Sequence, residues 1–161
     1  MHNPIFHQLS KCTVFGCALI FGSASYAQTC TLSSAPVTFA NYDPFSSVAS
    51  DISGSLTVTC NSAVSLLVSY TMQLSAGLSG SMSPRKMSNG GTQLSYQLYS
   101  NSGRTTIWGD GSAGTSTVTD GYLISVLVPV VRNYSVYGRI TAKQNVTAGS
   151  YLDTVTVLMT Y

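Results

Sequence analysis

The side chains that carry most protein chemistry are histidine, the carboxylates and cysteine, and this chain is sparing with all of them. It contains no glutamate, five aspartates (Asp43, Asp51, Asp110, Asp120 and Asp153), two histidines (His2 and His7) and four cysteines (Cys12, Cys17, Cys30 and Cys60). The aspartates are scattered, and no two are spaced as a general acid and base or as a metal pair. The cysteines form no C-x-x-C pair, so neither a thioredoxin-like redox motif nor a zinc cluster is present.

The first residues read as an address. Lys11 precedes the apolar run Val14 to Gly22, and Ser25-Tyr26-Ala27 has the small residues of a cleavage site. The run is well short of the ~20 residues a spanning helix needs. We expect a signal peptide over residues 1–27, cleavage after Ala27, and a single mature domain over residues 28–161 with no transmembrane anchor. Both histidines leave with the signal, as do Cys12 and Cys17. Cys30 and Cys60 then stand alone in an exported chain, which predicts a disulfide between them. Closing a loop of that size stabilises the domain by about 3–4 kcal/mol on the chain-entropy model. A mature chain without histidine or glutamate is not expected to be an enzyme, and neither a cofactor nor a metal is expected. Six basic and five acidic residues remain, a net charge of +1 with no basic face. Nucleic acid is therefore not an expected partner.

The elements that would position these groups are strands. Thr, Val, Tyr, Leu and Ser alternate along the chain, no helical stripe stands out, and Gly, Asn, Asp and Ser clusters punctuate it. Strands are expected at Val37 to Phe39, Ser53 to Cys60, Leu66 to Leu74, Gln93 to Ser100, Tyr122 to Val128, Val136 to Ala142 and Thr154 to Tyr161. Seven short strands in one domain suggest an all-β sandwich. In Ser53 to Cys60 the even positions are apolar, which turns Cys60 toward the core. In the last strand Val155, Val157, Met159 and Tyr161 share one face. Leu123 to Val131 is apolar on both faces and reads as a buried core strand ending at Pro129. Trp108 reads as part of a Trp-Gly-Asp-Gly turn capping the sandwich rather than as a sugar platform. Arg139 is expected to pair with Asp153 at the surface. Charged and proline gatekeepers against edge-to-edge pairing are few, so either every strand edge is covered or edge pairing is itself the function.

Several segments, taken in order, carry a family likeness. They are Cys30-Thr31-Leu32, Val37-x-Phe39, Asn41-Tyr42-Asp43-Pro44, Gly54-x-Leu56-x-Val58-x-Cys60 and Arg85-Lys86-Met87. They continue with Leu94-x-Tyr96-x-Leu98-Tyr99, Arg104-Thr105, Trp108-Gly109-Asp110-Gly111, Val136-Tyr137-Gly138-Arg139-Ile140 and Gly149-x-Tyr151-x-Asp153-Thr154-Val155, ending at Tyr161. With its two cysteines, the chain resembles the spore coat protein U domain, shared by subunits of archaic, Csu-type chaperone–usher pili.

That resemblance implies an immunoglobulin-like sandwich lacking one strand, with a hydrophobic groove where the strand is missing. It implies a periplasmic chaperone that lends a strand, an outer-membrane usher, and neighbouring subunits whose N-terminal extensions replace the chaperone's strand, a form of β-augmentation. Val155, Val157, Met159 and Tyr161 would flank the groove. The expected destination is the surface of a Gram-negative bacterium, in a pilus serving adhesion and biofilm formation. Cleavage after Ala27 would leave only Gln28 and Thr29 before Cys30, a reach of about 7 Å. Such a chain would accept a strand and hardly give one, which suits a fibre tip or a protein that is not polymerised. The competing expectations are a complete secreted sandwich that binds a surface ligand such as carbohydrate, and a spore or cell coat protein.

Overall fold

The computed structural model describes residues 28–161, so the expected signal segment lies outside the described residues. Eight strands are described: β1 (Thr29–Ala35), β2 (Ser50–Asn61), β3 (Leu66–Leu74), β4 (Arg85–Asn89), β5 (Thr92–Tyr99), β6 (Val118–Ile124), β7 (Val130–Ile140) and β8 (Val157–Thr160). They form a five-stranded sheet in the order β1-β2-β7-β5-β4 and a three-stranded sheet in the order β6-β3-β8. The result is an all-β sandwich.

Alternation along the strands builds the core, because successive side chains point to opposite faces. Leu56, Val58 and Cys60 on β2 are buried, as are Val68, Tyr70, Met72 and Leu74 on β3, and Val136 and Ile140 on β7. Cys30 and Cys60 are direct cross-strand partners in the β1–β2 ladder and form the disulfide, closing a separation of 30 residues. Trp108 is 1% exposed, and its indole N–H donates to the Met72 carbonyl at 3.1 Å, so it ties the two sheets together.

Three expectations are corrected. The run Leu123 to Val131 is not a buried strand. β6 ends at Ile124, a turn closes with Val128 N–H donating to the Ser125 carbonyl, and β7 starts at Val130 after Pro129. Leu123, Leu127 and Val128 are 67%, 76% and 56% exposed, because β6 is an edge strand and the run leaves the sheet at its end. Arg139 does not pair with Asp153. It faces Asp51 across the β2–β7 ladder and makes a bidentate pair at 2.7 Å, which holds the Asp51 carboxyl below its ordinary range. Val37 to Phe39 is extended but joins no ladder, whereas Thr29 to Ala35 just before it does.

The sandwich is locked by one buried cation. Arg85, 0% exposed, donates to Gln97 Oε1 at 2.7 Å and to the carbonyls of Trp108 and Ser75 at 2.9 and 3.0 Å. Those acceptors lie on β5 and on two loops, so one guanidinium fork fixes three separate segments.

Candidate functional site

Between the two sheets an open cleft of about 930 Å³ runs along the side of the molecule. Its floor is apolar, with Leu56, Leu94, Leu98 and Ile140 contributed by β2, β5 and β7. One wall is the extended segment 36–42, and the other is the segment 146–157 that leads into β8. The first wall lies close over β7 because residue 138 is glycine. A Cβ there would meet Val37 Cγ1 and Phe39 Cζ at 2.7 Å.

Both walls have the periodicity of strands with little of a strand's pairing until β8 begins at Val157, opposite Leu74. Along the first wall Val37, Phe39 and Tyr42 are half-buried while Pro36, Thr38, Ala40 and Asn41 are exposed. Along the second, Tyr151, Asp153, Val155 and Val157 are half-buried and Leu152, Thr154 and Thr156 are exposed. Residues 36–41 make no backbone-to-backbone hydrogen bond with the described residues. Between residues 146 and 155 only Leu152 does, exchanging bonds with Ser88 at 2.9 and 3.1 Å. Extended backbone that is half-buried and unpaired leaves donors and acceptors unsatisfied except by water. The cleft thus combines apolar pockets with two open backbone edges.

Side chains hold the walls in place of ladder bonds. Tyr42 Oη donates to the Thr141 carbonyl at 3.1 Å and accepts from Gln144 N–H at 2.7 Å. The Gln144 amide in turn takes the Ser95 N–H at 2.8 Å and donates to the Ser95 carbonyl at 2.7 Å, as a neighbouring strand would. On the other wall Asp153 accepts from Tyr96 Oη at 2.6 Å and from the Leu78 and Thr154 amides at 2.7 and 2.8 Å. Burial and the Asp153 carboxylate raise the Tyr96 phenol well above its ordinary value, so it stays a donor. Gly77, at φ +75°, leaves room for that carboxylate; a Cβ would fall 2.1 Å from Asp153 Oδ2. Tyr96 also packs edge-on against Phe39 across the cleft, with centroids 6.2 Å apart.

Of the residues singled out in the sequence, Val155 and Val157 line this cleft. Met159 packs against the core on β8 opposite Met72, and Tyr161, at 55% exposed, lies beyond β8. Neither is part of the lining. Cys30 and Cys60 sit at the far end of β2 and brace the fold rather than the cleft. Tyr42, Tyr96, Gln144 and Asp153 shape the site and were not assigned that part from sequence. The alternation Val37-x-Phe39 was the one local signal for the first wall.

No group of three or more metal-ligating side chains occurs among the described residues, and no described helix is long and apolar enough to cross a membrane. The aspartates remain apart. Asp51 is paired with arginine, Asp120 accepts from Tyr134, and Asp153 is satisfied by donors.

Comparison with known proteins gives the context of this geometry. A solved chaperone–tip adhesion subunit pre-assembly complex, from the archaic chaperone-usher Csu pili of Acinetobacter baumannii, contains a chain of similar fold. The TM-score is 0.57 at 22% identity, covering 84% of this chain and 40% of that one. The chain is 33% identical over 132 residues to Protein U of Myxococcus xanthus, covering 76% of this chain and 70% of its relative. The Spore Coat Protein U domain matches over residues 16–158, and the chain belongs to that family.

Proposed function

We propose that the cleft is an acceptor for an extended strand supplied by another protein, and that the chain is a structural subunit or tip component of a chaperone–usher surface pilus. The observation that carries this reading is the pair of half-buried, extended walls with open backbone edges on either side of an apolar floor. A strand with apolar residues at every second position supplies both deficits. Its main chain pairs with the edges and its side chains fill the pockets. In this reading a periplasmic chaperone occupies the cleft first and a neighbouring subunit's strand replaces it at the outer-membrane usher. Val155 and Val157 contact the incoming strand directly. The route runs through the periplasm to the surface of a Gram-negative bacterium, where the assembled fibre serves adhesion and biofilm formation. No step of it requires catalysis.

The test is expression of residues 28–161 in an oxidising compartment, with and without a candidate periplasmic chaperone. Recovery only as a one-to-one complex supports the reading. A stable monomer whose cleft takes up no strand overturns it and favours a complete, ligand-binding sandwich.

The family's name and the relative in Myxococcus favour a second reading, a coat component on a spore or cell surface. Immunogold labelling distinguishes the two, since a pilus subunit decorates fibres and a coat protein decorates the envelope.

A further inference from the structure

Every residue that borders the cleft is uncharged except Asp153. In the alternation of the second wall its side chain shares a face with Tyr151, Val155 and Val157, and it is half-buried there. A carboxylate in such a place is costly unless it is hydrogen-bonded and paired with a cation. The hydrogen bonds are present. Oδ1 accepts from the Leu78 and Thr154 amides at 2.7 and 2.8 Å, and Oδ2 accepts from Tyr96 Oη at 2.6 Å. The cation is missing: among the described residues the ion pairs are those of Asp51 with Arg104 and Arg139. Arg85 feels the Asp153 charge from inside the sandwich, but its guanidinium is committed to Gln97, Ser75 and Trp108 and forms no ion pair with it.

An ionised carboxylate has about four acceptor positions. Two are filled on Oδ1 and one on Oδ2, so Oδ2 can take one more donor. The rings nearby favour a cation as that donor. Tyr96, already bonded to Oδ2, packs edge-on against Phe39 with centroids 6.2 Å apart, and Tyr42 and Tyr151 also border the cleft. Aromatic faces attract ammonium and guanidinium groups. Leu94 and Leu98 flank Tyr96 on the same face of β5 and form part of the floor. The methylene stem of a lysine or arginine lies well on such a surface while its head stays with polar groups.

We infer, resting on the cleft as a strand acceptor, that the strand it takes carries one basic side chain, lysine or arginine, against Asp153 among its otherwise apolar inward positions. Asp153 is then the residue that sets which strands are taken. Seating a strand drives water from the cleft, and a carboxylate without a cation loses hydration at that moment. A basic head group supplies the missing charge and fills the open position on Oδ2. A methionine at the same place leaves the carboxylate bare, and a glutamate sets a like charge against it. Charge identifies the occupant: the cleft offers one negative group and no positive one, so an acidic strand finds nothing there to pair with.

A scan of synthetic strand peptides tests it by fluorescence anisotropy. The parent peptide has apolar residues at every second position, and each inward position in turn becomes lysine, methionine or glutamate. With the wild type, one inward position is expected to favour lysine over methionine by at least ~tenfold and over glutamate by at least ~100-fold. In D153N, shown to fold by circular dichroism, the advantage of lysine over methionine is expected to fall below about twofold. A second readout needs no variant. Carbodiimide coupling of the bound lysine peptide to the wild type is expected to join its amine to Asp153, located by peptide mass mapping. Absence of any such preferred position, a preference that D153N keeps, or coupling to another carboxylate overturns the inference. If none of the peptides binds, the strand-accepting cleft falls and this inference with it. If they bind without charge preference, this inference alone is lost.

Discussion

Replacing Val155 by aspartate separates a strand-accepting cleft from a mere surface furrow. In the isolated chain Val155 is half-buried and packs against the core from a wall that borders the open cleft, so an aspartate there can stay hydrated at the cost of part of that packing. Once a strand lies in the cleft, that position is buried between the strand and the floor. Because the valine is already half-buried, the variant then forgoes about half of a full burial, ~0.8–1.5 kcal/mol. It also strands a carboxylate without donors, on the order of 2–3 kcal/mol more. The sum of about 3–4.5 kcal/mol corresponds to a roughly 10²–10³-fold weaker complex. Thr156→Asp is the control, because Thr156 is exposed in the alternation of the wall and does not line the cleft. It is expected to change affinity by less than about threefold, the range of an isolated surface charge. Fluorescence anisotropy of a labelled peptide with apolar residues at every second position reads both affinities, and circular dichroism confirms that both variants fold. If V155D binds the peptide as tightly as wild type, or if T156D loses as much, the parity argument is refuted and the cleft does not take a strand in this way.

Other expectations concern what holds the cleft open. Arg85→Met leaves the Gln97, Ser75 and Trp108 acceptors without their donor. We expect a loss of about 3 kcal/mol in urea unfolding, the hydrogen-bond cost being offset in part by no longer burying a charge; a loss below 1 kcal/mol on the same scale would refute the keystone role. Arg85→Lys recovers little, since an ammonium lacks the planar fork. Reduction of Cys30–Cys60, or the double serine variant, costs about 3–4 kcal/mol for this loop, seen as a lower denaturant midpoint. The domain is also expected to fail in alkali. Burial pushes the Tyr122 and Tyr134 phenols up to about 12, and burial likewise raises Tyr70 and Tyr96. A phenol whose folded value exceeds its unfolded one contributes stability that is complete below pH ~10 and is lost as pH rises through the folded value. Tyrosinate absorbance should therefore rise together with loss of the fold between pH 10 and 12. Separate titration of all tyrosines near pH 10 with the fold intact would contradict it.

Strands β2, β3 and β5 and the disulfide were legible in the chain itself, while β1 and β4 were not expected; the physical reason for what was legible is locality. A period of two in Leu56, Val58 and Cys60 fixes which face is buried whatever the strand pairs with, and with Cys12 and Cys17 assigned to the expected signal segment, Cys30 and Cys60 have one partner each. Where the argument needed to know what lay across from a residue, sequence alone was not enough. Leu123 to Val131 is as apolar as a core strand, but β6 lies at a sheet edge, and only the order β6-β3-β8 turns that run outward. Arg139 had several aspartates available, and the antiparallel register of β2 and β7 selected Asp51. Arg85 stood in the sequence only as part of the Arg85-Lys86-Met87 segment, because its three acceptors come from segments that meet only in the folded chain. The cleft is the strongest case. Its walls are far apart in sequence and each is ordinary alternating β-chain. The scarcity of backbone pairing along them is a property of the sheet order, which pairs β1 with β2 and β8 with β3 and leaves the space between them open.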